Sequence, residues 1–130
     1  MMCVDVFLAP SPLHGLGVHT RAPIAAGTVV WRFLPGFDQV YTREQFQRLP
    51  PRAQAHVRWY GHHDQSTPEL IYLCADLAVF MNYSDTAYNL TDTLDTNTAL
   101  RDIAAGEELL FNPFAASPLY RAGDYQIEFG

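Results

Sequence analysis

A chain of 130 residues has room for one domain with a buried core and not for two. With 48% hydrophobic and 17% charged residues it is globular rather than disordered. The formal net charge is -6, and the eight basic residues, all arginine, are scattered from Arg21 to Arg121. Nucleic-acid binding needs a basic patch, and this distribution shows none. Cys3 and Cys74 are the only cysteines and form no C-x-x-C pair, which excludes a thiolate zinc cluster and argues against a disulfide framework. The start, Met1 to Asp5, lacks the basic and apolar regions of a signal peptide, and no apolar run approaches the roughly 18 residues of a membrane span. The expectation is an intracellular, cytoplasmic protein with no membrane partner.

In chain order, Val4 to Ala9 reads as a strand stopped by Pro10-Ser11-Pro12, and Val18 to Thr20 as a second, after the loop His14-Gly15-Leu16-Gly17. A turn at Pro23 to Gly27 leads into the β-branched and aromatic strand Thr28 to Phe33, which Pro35-Gly36 ends. Thr42-Arg43-Glu44-Gln45 is a capping box, in which the threonine hydroxyl accepts from the amide three residues on while Gln45 reaches back. The helix it opens is cut short by Pro50-Pro51. Pro51 then serves as the first residue of a second helix running to Tyr60, with Gly61 as its C-cap. The rest is again short strands: Ile71 to Cys74, Val79 to Met81, Thr98 to Leu100 and Glu108 to Phe111, the last introduced by the turn Ala104-Ala105-Gly106. Many short strands and two brief helices predict several small sheets with a helical insert over residues 42 to 61.

Four segments carry chemistry or turn geometry. Gly15-Leu16-Gly17 permits close backbone approach to a ligand but is equally the composition of a turn, and with no third glycine and no helix after it, it is no dinucleotide fingerprint. Asn82-Tyr83-Ser84-Asp85 offers an amide, a hydroxyl and a carboxylate after an apolar run, as a polar ligand or a Ser turn would need. His62-His63-Asp64 reads as a solvated loop, because adjacent loop residues rarely face one metal and no fourth ligand is apparent; no metal is expected. Ala99 to Leu109 is a strand, a turn and a strand with Glu107 and Glu108 at the second strand's start. No nucleophile sits at a suggestive spacing from a base.

Taken in order, these segments resemble the SET domain, the fold of most protein-lysine methyltransferases, and in particular the short stand-alone SET proteins of bacteria and viruses. Gly15-Leu16-Gly17 matches the family's G-x-G loop, and Ile24-Ala25-Ala26-Gly27 its Ile-x-x-Gly turn. Val79-Phe80-Met81-Asn82-Tyr83-Ser84-Asp85-Thr86-Ala87-Tyr88-Asn89 stands for R-F-x-N-H-S-x-x-P-N, and Ala99 through Leu109 for A-x-R-D-I-x-x-G-E-E-L. The resemblance covers residues 4 to 114. It implies a mainly β fold of the β-clip type, one domain over 1–130, and a C-terminal pseudoknot in which the last segment threads under a preceding loop.

The resemblance also implies S-adenosylmethionine as cofactor, held by Gly15, Leu16, Gly17, Asn82 and Tyr83, and a basic protein or peptide as substrate. Asp102, Glu107 and Glu108 are candidates to attract that basic segment. Tyr83 replaces the family histidine, whose contribution is largely through main-chain atoms. Where the family continues with the catalytic tyrosine, this chain reads Leu110-Phe111-Asn112-Pro113-Phe114, which puts Pro113 at that position. Proline has neither hydroxyl nor backbone donor, and losing one such donor typically costs about a hundredfold or more in rate. Tyr120 and Tyr125 are the substitutes that chain position suggests. The implied function is lysine N-methyl transfer; the alternative is a catalytically impaired module that binds cofactor or a protein partner. Exposed strand edges leave room for a homodimer.

Overall fold

The computed structural model describes residues 1–64, 67–93 and 95–113, and the expected pseudoknot, Tyr120 and Tyr125 lie outside these. Four small sheets make up the described fold. Strand β1 (Val6–Pro10) pairs antiparallel with β2 (Leu16–Thr20), Val6 facing Thr20 and Pro10 facing Leu16. The proline suits a strand terminus, where no ladder donor is needed. β3 (Val29–Arg32) runs antiparallel to β8 (Thr96–Thr98), with an irregularity between Val29 and Trp31. β4 (Gln39–Thr42), β5 (His62–Asp64) and β6 (Thr67–Leu73) form a three-stranded sheet with β6 in the middle. β7 (Asn82–Tyr83) lies parallel to β9 (Leu110–Phe111), which brings two distant motifs side by side.

Between β4 and β5 stand the two helices, α1 (Arg43–Gln47) and α2 (Pro51–Tyr60). The capping box forms as expected: the Thr42 hydroxyl accepts from the Gln45 amide at 3.1 Å, and the Gln45 side chain accepts from the Thr42 amide at 2.9 Å. Pro51 takes the first position of α2. Four arginines, Arg43, Arg48, Arg52 and Arg58, fall on these helices, so basic residues that look scattered in sequence gather on the insert.

Two expectations are corrected. Val79 to Met81 is no strand: Leu77–Phe80 is a 3-10 turn, because the Asp76 side chain accepts from the Ala78 amide at 3.1 Å and caps it. A local side-chain bond of this kind outcompetes a three-residue apolar run. His62-His63-Asp64 is no solvated loop but edge strand β5, with His62 stacked on Tyr72 at 5.7 Å and His63 Nδ1 2.7 Å from the Leu70 carbonyl. Strand β4 was not expected at all.

The core is divided. Val18, Ile24, Val30, Leu90, Ala99, Ile103 and Leu109 form the main cluster, each contributing about 1.5–3 kcal/mol by burial for the larger side chains. Phe46, Val57 and Ile71 form a second cluster between the helices and the β4–β6–β5 sheet, lined by Tyr41, Leu49 and Leu73. Tyr60 of α2 meets Phe80 of the body edge-to-face, and Phe33 meets Tyr72 of β6 in the same way, each at 5.7 Å.

The two thiols differ in kind. Cys3 is exposed, whereas burial, and after it the nearby Asp38 charge, pushes the Cys74 thiol up to about 12. Because the thiolate is the nucleophile, native protein at pH 8 is expected to take up one equivalent of iodoacetamide, at Cys3, and two equivalents only in denaturant. Peptide mapping showing rapid native alkylation of Cys74 would contradict this packing.

Candidate functional site

The loop between β1 and β2 is built by Ser11. Its hydroxyl accepts from the amides of Leu13 at 3.1 Å and His14 at 3.3 Å, and its own amide donates to the Gly15 carbonyl at 2.8 Å. Gly15 closes the turn at φ +46°, and a β-carbon added there would meet nothing within 4 Å, so its outer face is open. Gly17 is a glycine for the opposite reason. A β-carbon at Gly17 would run into the Glu108 carboxylate, whose Cδ would lie 2.7 Å away.

Asn82 reaches this loop from β7. Its Nδ2 donates to the carbonyls of His14 at 2.9 Å and Leu16 at 3.0 Å, and to Glu108 Oε1 at 3.0 Å. Glu108 Oε2 in turn accepts from the Ser11 hydroxyl at 2.9 Å. Gly15, Leu16, Gly17 and Asn82, far apart in sequence, are thus one constellation. Tyr83, next on β7, is 41% exposed and packs edge-on against Phe111 at 6.2 Å. Leu13 and Leu16 present apolar side chains on the same loop, 52% and 47% exposed. Ser84 closes a Ser turn, its hydroxyl accepting from the amides of Thr86 at 3.2 Å and Ala87 at 2.8 Å.

Behind the site Asn89, 1% exposed, locks the two motifs together. Its Nδ2 donates to the Glu108 carbonyl at 2.9 Å and its Oδ1 accepts from the Leu110 amide at 2.9 Å. Its own backbone donates to the Leu110 carbonyl at 3.0 Å and accepts from the Leu100 amide at 2.9 Å. Ser11, Glu108 as a brace, and Asn89 as a lock escaped sequence reasoning; the second acid of Gly106-Glu107-Glu108-Leu109 was the available signal.

The three carboxylates considered for attracting a basic segment are each engaged within the chain. Asp102 Oδ1 accepts from the Ala26 amide at 2.9 Å. Glu107 makes a two-pronged pair with Arg101, at 2.9 and 3.2 Å, and accepts from the Ala104 amide at 3.0 Å. The Arg101 guanidinium first, and the Ala104 amide second, hold the Glu107 carboxyl below the usual carboxylate range. Glu108 serves the loop. Pro113 is buried. Among the described residues no group of three or more His, Cys, Asp and Glu could hold a metal ion, and no helix is long and apolar enough to cross a membrane.

The described residues have a SET-like fold: mainly β, built of small sheets, with the Gly15-Leu16-Gly17 loop and the Asn82 strand brought into contact. Solved structures share this fold. A humanized mutant of the Chaetomium thermophilum Polycomb Repressive Complex 2 bound to an inhibitor is similar with a TM-score of 0.64 and 23% identity, over 88% of this chain and 15% of that one. The same organism's complex in an autoinhibited conformation bound to S-adenosylmethionine gives 0.63 and 23%, over 88% and 16%. Its crystal structure gives 0.63 and 24%, over 85% and 15%. This chain spans about 15% of the length of the chains it matches. No family model and no curated protein matches the chain.

Proposed function

We propose that the chain binds S-adenosylmethionine on the open side of the Ser11–Gly17 loop and methylates a lysine in a basic protein segment within the cytoplasm. The observation that carries this reading is the constellation of loop, Asn82 and Glu108, with backbone open at Gly15. The residues fit such a ligand. Leu13, Leu16 and the Tyr83 ring offer exposed apolar surface for an adenine and a thioalkyl chain. Asn82 spends only its Nδ2 in the contacts above, so its Oδ1 remains an acceptor for an ammonium or a hydroxyl. A structural neighbour bound to S-adenosylmethionine supports the same choice.

When bound, the cofactor supplies an electrophilic methyl on a sulfonium. The chain's part is to hold that group in line with a neutral lysine amine, where alignment supplies most of the catalysis. The net charge of -6 favours a basic substrate. Because Asp102 and Glu107 are bound to Ala26 and Arg101, the attraction comes from the overall field rather than from those two side chains. Tyr120 and Tyr125 are the proposed hydroxyl donors in place of the missing tyrosine. The buried Pro113 favours a second reading, a module that binds cofactor or a protein partner without turnover.

Calorimetric titration with S-adenosylmethionine and S-adenosylhomocysteine tests the site. Saturable binding below about 1 mM is expected, and Asn82→Ala, which frees the His14 and Leu16 carbonyls, is expected to weaken it about tenfold or more. Absence of binding sinks the cofactor reading. Turnover on basic proteins, lost in the Tyr120→Phe, Tyr125→Phe double variant, separates the enzyme from the binding module.

A further inference from the structure

We infer that the Glu108 carboxylate makes the loop selective for a cationic ligand, holding the sulfonium cofactor more tightly than the neutral thioether left after methyl transfer. The inference rests on the loop being the cofactor site. It begins with an imbalance of charge. Arg101 with Glu107, Arg21 with Asp5 and Arg48 with Glu44 are ion pairs, but Glu108 has no cation within 4.0 Å among the described residues. Its oxygens are satisfied by the neutral donors Asn82 and Ser11. The carboxylate is half-buried, where charge interactions are screened less than in open water.

There is also an imbalance of hydrogen bonds. Three oxygens, from His14, Leu16 and Glu108, lie within 3.0 Å of Asn82 Nδ2, which has only two hydrogens to give. The region is therefore rich in acceptors and negative partial charge, and short of donors. A ligand that brings positive charge corrects both imbalances, while one that has lost its positive sulfur corrects less. Selectivity of this sign also speeds exchange of product for fresh cofactor. The Gly17 position fits the same arrangement, because only a residue without a β-carbon lets the carboxylate lie so close under the loop.

Calorimetry with both ligands on the full chain tests this. The native protein is expected to bind S-adenosylmethionine about tenfold more tightly than S-adenosylhomocysteine. Glu108→Gln retains an acceptor for Asn82 but no charge, and is expected to bring the ratio to about one. Glu108→Asp retains the charge but shortens the reach, so it is expected to weaken both ligands and keep the preference. Thermal melting checks that each variant is folded. An unchanged ratio in folded Glu108→Gln, or equal native affinities, overturns the selectivity while leaving the cofactor site standing. Failure of the native chain to bind either ligand overturns both. If Glu108→Gln does not fold, a lost preference in Glu108→Asp overturns the inference alone.

Discussion

Replacing Asn89 with alanine is expected to lower the free energy of unfolding by about 2–4 kcal/mol. The side chain is buried and makes two bonds to backbone from a distant segment, to the Glu108 carbonyl and the Leu110 amide. Truncation leaves both backbone groups without a partner in the interior, and each orphan costs about 1–3 kcal/mol. The cavity left behind adds to this. Asn89→Asp keeps an acceptor for Leu110 but sets a charge against the Glu108 carbonyl, so it should not rescue the loss. Urea unfolding with an unchanged slope and a lower midpoint is the expected record. A shift below about 0.5 kcal/mol, the range of ordinary surface substitutions, would mean that the lock contributes little.

Gly61→Ala is expected to cost about 3 kcal/mol. The residue follows α2, yet its φ of -75° is open to any amino acid, so no backbone strain is involved. Space decides instead: an added β-carbon would lie 2.5 Å from the Val57 carbonyl oxygen and 2.8 Å from Ile71 Cγ2. The first is helix backbone and the second a side chain with no exposure, and neither can give way cheaply. Gly36→Ala is the informative control. Gly36 has φ +83° with nothing within 4 Å of an added β-carbon, so only the conformational cost of about 1 kcal/mol applies. Should the two variants unfold at equal denaturant, the crowding at Gly61 is not what the packing indicates.

These cases mark where sequence reasoning reached and where it stopped. The capping box at Thr42 and the proline opening α2 are local, each complete within about four residues, and both were legible. So was Gly61 as the end of α2, though its reason lies in Ile71, ten residues away and visible only once β6 packs under the helix. The turn at Leu77–Phe80 was misread as a strand because its apolar residues mask the Asp76 cap. The site was legible in its glycines and in Asn82, which stand in recognisable motifs. Glu108 and Asn89 were not, because the partners of their side chains sit 19 residues away or more, and spacing carries no information about such contacts.

The divided core has a dynamic consequence. Among the described residues Phe46, Val57 and Ile71 form a cluster separate from that of Val18 and Leu109, and Tyr60 of α2 meets Phe80, which packs on the main cluster, in edge contact. A cluster that small is expected to open on its own, so in hydrogen-exchange measurements the amides of the helices should exchange through a partial unfolding that leaves the body's ladders closed. On this expectation the described residues breathe as two units of unequal depth, the shallower holding Arg43, Arg48, Arg52 and Arg58 and the deeper holding the loop that Asn82 and Glu108 tie down.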